Sequence, residues 1–159
     1  MLKLIYRLPA VQRWMARNCR VDSLTGLKNF KALDEEFEST KYFYLIDLDN
    51  FRSINKSYGH ANGSLILSHF GKVLERKLPS GEVYRVGGDE FVILTKENLT
   101  IDFFDEISDQ MVDVEGKEIK LRASWGGVRP RKRELKKCFQ LAGKKMYQRK
   151  GKPLDLIVS

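Results

Sequence analysis

The sequence predicts an α+β domain in which helices cover an antiparallel sheet. Two segments, residues 41–48 and 84–94, carry dense aromatic and aliphatic runs of the kind that form buried strands. Residues 63–77 place Leu67, Phe70 and Leu74 at i, i+3 and i+7, the stripe of an amphipathic helix. Helical and strand segments then follow one another in an order that suits a layered domain.

The elements can be justified in turn. Leu4, Ile5, Leu8, Val11, Trp14 and Met15 recur at helical spacing among Lys3, Arg7, Arg13, Arg17 and Arg20, which predicts a basic amphipathic lead-in helix over residues 1–21. Such a helix packs on the domain that follows, or makes a weak contact with an anionic membrane surface or a partner helix. Residues 22–159 form the domain proper. Phe30, Leu33 and Phe37 line one face of a helix over 28–39, strand 41–48 follows, and a short helical turn is expected near 52–56. A hairpin over 83–95 turns at Gly87-Gly88, a pair suited to a type I′ turn in which both central residues need positive φ. A helix over 101–112, a strand over 118–125, a helix over 134–149 and a last strand over 154–158 complete the expectation.

At 159 residues the chain supports one real core and is short for two domains. No run approaches the roughly eighteen apolar residues of a membrane span. Cys19 and Cys138 lack metal-ligand spacing and read as reduced thiols of a cytoplasmic protein.

The chemistry concentrates in two acidic clusters. Asp89 and Glu90 interrupt an apolar hairpin, although acids are poor strand formers. Strand 41–48 ends in Asp47-Leu48-Asp49. If hairpin and strand pair, Asp47 and Asp89 converge at a sheet edge, and a divalent cation would relieve their repulsion. Mg²⁺ prefers oxygen ligands and is commonly held by one or two carboxylates plus substrate phosphates. A metal-dependent, phosphate-handling site is therefore expected.

Three ordered stretches carry a family resemblance: Asp22-Ser23-Leu24-Thr25-Gly26-Leu27-Lys28-Asn29, then Asp47 through Gly63, then Arg85-Val86-Gly87-Gly88-Asp89-Glu90-Phe91. A weaker match follows at Ala142 through Tyr147 and at Lys150-Gly151. In these stretches the chain resembles a GGDEF domain, the catalytic domain of the diguanylate cyclase family. The resemblance implies a palm-like central sheet and a homodimer, at least a transient one, that condenses two nucleoside triphosphates into a cyclic dinucleotide with release of pyrophosphate. It implies Mg²⁺ (or Mn²⁺) held by Asp47, the Leu48 carbonyl and Asp89. Asp89 or Glu90 would assist deprotonation of the attacking hydroxyl. Phosphates would meet the amides near Asn50 and Phe51, Arg52 in place of the family's usual lysine, and Lys150; Lys152 is a further basic candidate.

The base pocket holds the main departure. Asn55 matches the family's guanine-reading asparagine, but position 64 is Ser where an aspartate is usual. A carboxylate accepts from guanine and repels the adenine N1 lone pair, whereas a hydroxyl donates or accepts. Ser64 therefore resembles a hybrid subset that accepts ATP beside GTP and makes cyclic GMP–AMP. Ser64 could instead simply N-cap the following helix, and His60 borders the ligand or bonds within its turn. Further departures are Phe30, Lys56 and Gly143, and the inhibitory Arg-x-x-Asp signature is replaced by Leu78-Pro79-Ser80-Gly81. Two competing readings remain: a catalytically silent nucleotide receptor, and a basic nucleic-acid-binding module. The second rests on the net charge of +8 and the cations near the C-terminus, but no base-reading module or aromatic ladder accompanies them, so no specific nucleic acid is expected.

Overall fold

A computed structural model of the chain describes residues 19–39, 41–132 and 134–150. Residues 1–18 of the expected lead-in helix, and the strand expected over 154–158, lie outside the described residues; the helix does not extend over residues 19–21, where Val21 forms an isolated antiparallel bridge with Lys28. In chain order the elements are β1 (Lys28–Asn29), α1 (Phe30–Glu36), β2 (Tyr42–Leu48), α2 (Phe51–Lys77), β3 (Glu82–Arg85) and β4 (Glu90–Thr95). They continue with α3 (Ile101–Ser108), β5 (Gln110–Val114), β6 (Lys117–Leu121), β7 (Ala123–Val128) and α4 (Leu135–Arg149). Among the described residues five strands form one sheet in the order β1-β3-β4-β2-β7, and β5 pairs with β6 as a separate ribbon. The short β1 runs parallel to β3, so the sheet is mixed at one edge and antiparallel elsewhere.

The sheet is covered on both faces, which is why β2 and β4 read as nearly continuous apolar runs. Tyr44, Ile46, Leu48, Phe91 and Ile93 face α2, α3 and the β5–β6 ribbon. Phe43, Leu45, Val92 and Leu94 face α1 and α4. Strand alternation places Asp47 and Glu90 on this second face.

Several expectations are corrected. Gly87 and Gly88 do not take positive φ, so the turn is not type I′. Residues 86–89 bridge the strands, closed by the Val86 amide on the Glu90 carbonyl (3.0 Å). Arg85 donates to the Gly88 carbonyl through Nη2 (2.7 Å) and Nε (3.2 Å), and Asp22 holds the same guanidinium (2.9 Å). A side-chain clamp replaces the backbone geometry of a two-residue turn. Nor do Asp89 and Glu90 lie on an edge: β4 sits between β3 and β2.

The helical turn near 52–56 and the helix over 63–77 are parts of α2, interrupted at Gly59, whose φ of 82° and ψ of 161° are not helical. The helix expected over 101–112 stops at Ser108. Met111 is exposed while Val112 and Val114 are buried, a period of two, and these residues form β5. The strand expected over 118–125 is two strands in different sheets, separated only by Arg122. Among the described residues no helix is long and apolar enough to cross a membrane.

Candidate active site

The acids gather at one end of the sheet. Asp47, 8% exposed, lies directly across from Glu90 on β4 and from Ser124 on β7. Two like charges facing each other across adjacent strands destabilise the pair. The Leu48 amide donates to the Asp89 carbonyl (3.2 Å), which ties the end of β2 to the loop carrying Asp89. Burial raises the pKa of Asp89, and the charge of Asp47 raises it further. Glu90 is raised by burial and by both Asp47 and Asp89. Lys150, just past α4, sets its Nζ 2.5 Å from Asp47 Oδ1. Burial pulls that ammonium down, but the hydrogen bond to Asp47 and the charges of Asp47, Asp49 and Asp89 outweigh it, so its pKa is raised.

Asp49 joins this group in a structural role that sequence reading did not assign. Its carboxylate accepts from the Ser124 hydroxyl (2.8 and 3.1 Å), and its amide donates to the Arg122 carbonyl (2.8 Å). Burial raises its pKa, with the Ser124 hydrogen bond opposing. The available signal for Ser124 was a lone hydroxyl in the otherwise apolar 123–128 run.

The remaining candidates line the start of α2. Asn50 adopts a left-handed conformation (φ 58°, ψ 20°) as N-cap, and its carbonyl accepts from the Ser53 and Ile54 amides (2.9 and 3.1 Å). Such a helix start directs its first amides outward as anion donors. Phe51 is buried beneath that turn, while Arg52 and His60 are exposed. Asn55 packs against Gly63: a Cβ at position 63 would stand 1.8 Å from Asn55 Oδ1. Ser64 lies more than a turn beyond the Gly59 break, inside the second helical segment, so it is not an N-cap. Asn62 pins that break by donating to the Tyr58 carbonyl (2.9 Å) and to Glu115 (2.8 Å).

Comparison with known proteins places the domain that carries these residues in a family. The sequence model described as "Diguanylate cyclase, GGDEF domain" matches residues 19–154. The chain belongs to this family. GGDEF diguanylate cyclases are Mg²⁺-dependent nucleotidyltransferases. The chain is 33% identical over 96 residues to diguanylate cyclase DgcS of Shewanella oneidensis, covering 54% of this chain and 32% of that protein. It is 40% identical over 94 residues to diguanylate cyclase DgcP of Escherichia coli, covering 51% and 27%. This chain thus spans about a third or less of these relatives' length. Among solved structures, the coiled coil and GGDEF domain of DgcB from Caulobacter crescentus, in complex with c-di-GMP, superposes with a TM-score of 0.71 at 21% identity. The match covers 94% of this chain and 90% of that one, and establishes likeness of fold.

The site also bears on the family's metal. Among the described residues no three His, Cys, Asp or Glu side chains group closely enough to hold an ion unaided. An ion completed by substrate phosphates and water needs only one or two carboxylates. The repulsion among Asp47, Asp89 and Glu90, and the ammonium already drawn onto Asp47, show a site that favours a cation. The donor set of this GGDEF domain fits Mg²⁺.

Proposed function

We propose that this GGDEF domain condenses two nucleoside triphosphates into a cyclic dinucleotide, with GTP as substrate and ATP accepted beside it. The observation that carries the reading is the cross-strand pair Asp47–Glu90, with Asp89 adjacent. Nothing about sheet stability favours like charges there, and local rules are broken in this way chiefly at functional sites.

Each residue then has a task. The amides at the start of α2, near Asn50 and Phe51, together with the Arg52 guanidinium, receive the phosphates. Lys150 has its ammonium at the carboxylates and within the region where the triphosphate charge would lie. When bound, a Mg²⁺ ion held by Asp47, Asp89 and the Leu48 carbonyl would offset triphosphate charge and acidify the 3′-hydroxyl. Asp89 or Glu90 accepts the proton of that hydroxyl. Its oxygen forms a bond to the α-phosphorus of the facing nucleotide, and the bond from that phosphorus to pyrophosphate breaks. The same exchange in the opposite direction closes the ring, so two domains must face each other and the working unit is a homodimer. Such substrates and products belong to the cytoplasm.

Asn55, held against Gly63, reads the base. Ser64 provides a hydroxyl where a carboxylate would repel adenine N1. The test is incubation of the purified chain with Mg²⁺ and GTP, ATP or both, followed by mass identification of products. Cyclic dinucleotide from wild type, and none from Asp89→Ala, is the expected result. Nucleotide binding without product would favour the silent receptor instead.

A further inference from the structure

Positive charge is unevenly placed along the chain. Residues 129–150 hold ten Lys and Arg against the single acid Glu134, while the rest of the chain holds nineteen against twenty. The whole positive excess therefore belongs to this one segment, which is α4 and the loop before it. The fold decides which way its cations point. Cys138, Ala142 and Met146 recur at every fourth residue and are buried against the sheet. The opposite stripe of α4, Lys137, Leu141, Lys144 and Gln148, is turned outward and exposed. Lys136 and Tyr147 flank that stripe on one side, and Lys145 on the other. Arg129, Arg131 and Lys132, all exposed, carry the positive surface on through the loop.

Little within the molecule neutralises this face. Glu134 lies 3.3 Å from Lys137, and Lys145 reaches the Gly127 carbonyl (2.9 Å). Among the described residues Lys136 and Lys144 form no salt bridge. Glu35 and Glu36 of α1, which covers the same side of the sheet, are already engaged by Arg20 and Lys28. The other side has the reverse bias: residues 101–118, which form α3 and most of the β5–β6 ribbon, hold seven acids and only Lys117. An anionic surface would attract α4 and repel α3 and the ribbon, so it would orient the domain as well as hold it. The apolar side chains on the face decide what kind of surface fits. Leu141, 47% exposed, stands one turn from Lys137, Lys144 and Lys145, and Tyr147 is 78% exposed. The phosphates of a nucleic acid gain nothing from a leucine set among lysines. Two apolar side chains are also too few for the buried core of a stable protein interface. A bilayer surface uses both chemistries, with ammoniums on the headgroups and Leu and Tyr at the acyl boundary.

We infer that the outward face of α4 binds the surface of an anionic lipid bilayer, with Lys136, Lys137 and Lys144 on the headgroups and Leu141 and Tyr147 at the acyl boundary. Such contact is reversible and lies on the membrane without crossing it. The inference concerns binding alone and does not rest on cyclase activity.

The test is co-sedimentation of the full chain with vesicles of phosphatidylcholine alone, or with about a third of the lipid replaced by phosphatidylglycerol. The expected result is saturable binding to the anionic vesicles, little to the neutral ones, and release at high salt. Lys136→Gln, Lys137→Gln and Lys144→Gln should each weaken binding about fivefold, and more in combination. Leu141→Ser leaves the charge unchanged and should weaken it about threefold or more. All four positions are exposed, so each variant should melt with wild type. The inference is overturned if neutral vesicles bind as well as anionic ones, or if the triple lysine variant binds like wild type, which would assign the binding to another part of the chain. Leu141→Ser equal to wild type would also overturn it, because the face would then act by charge alone. So would an RNA oligonucleotide that strips the chain from vesicles at equal phosphate concentration, since the face would then prefer nucleic acid.

Discussion

At the level of single residues, the site depends on contacts that leave no slack. Gly63 is the sharpest case, because a methyl group there would meet the Asn55 amide at 1.8 Å. Alanine suits a helix better than glycine by about 1 kcal/mol, so Gly63→Ala should fold with little net change in thermal stability. Its nucleotide affinity should nevertheless fall about tenfold, since Asn55 must turn away. Calorimetry beside a nucleotide titration separates the two, and unchanged affinity would remove Asn55 from the base pocket. Asp22 yields a pH prediction. Burial raises its carboxyl, but hydrogen bonds from Thr25 and Arg85 outweigh this and leave the pKa below its ordinary value. Its contribution is thus complete above the unfolded pKa near 4 and disappears as pH falls through the lower folded value. Asp22→Asn should cost about 1–3 kcal/mol at neutral pH. The penalty should shrink in urea melts run progressively below pH 4; a penalty constant with pH would contradict the linkage. The motif acids were legible in the sequence because they interrupt apolar runs, whereas the Gly63–Asn55 contact depends on how two helical turns pack.

At the level of elements, the site is held by the approach of α4 to β7. A Cβ on Gly126 would stand 2.0 Å from the Ala142 carbonyl oxygen, a backbone atom that cannot step aside. Gly126→Ala should therefore displace α4 and with it Lys150, at a cost of about 1–3 kcal/mol or more. A melting temperature equal to wild type would show that α4 yields freely. The same elements explain what was legible. β2 and β4 are buried on both faces, so their runs stood out. The end of the helix expected over 101–112 was hidden, because residues 110–114 are too few for their alternation to stand clear of the helical pattern before them. β6 and β7 merged in the reading because one residue separates two strands of different sheets. The clamp of Arg85 on Gly88 was invisible for another reason: it joins residues whose approach depends on Asp22, far away in sequence.

At the scale of the whole molecule, one domain presents one set of carboxylates, while a cyclic dinucleotide has two phosphodiester bonds related by a two-fold axis. On the proposed function a lone domain would activate one 3′-hydroxyl and, among the described residues, would offer no second set of groups for the return attack. Product formation should thus require two copies, and the specific rate should fall as the enzyme is diluted through its self-association range. At saturating nucleotide, halving the enzyme well below that range should cut the total rate about fourfold, as for any step second order in protein. Mixing provides the stricter test. An excess of Asp89→Ala chains, still able to fold and to pair, should poison wild type by forming dimers with one competent half-site. The inhibition should follow the fraction of mixed dimers measured by sedimentation. A total rate strictly proportional to wild-type enzyme at every dilution, unaffected by excess Asp89→Ala, would mean that one domain closes the ring alone.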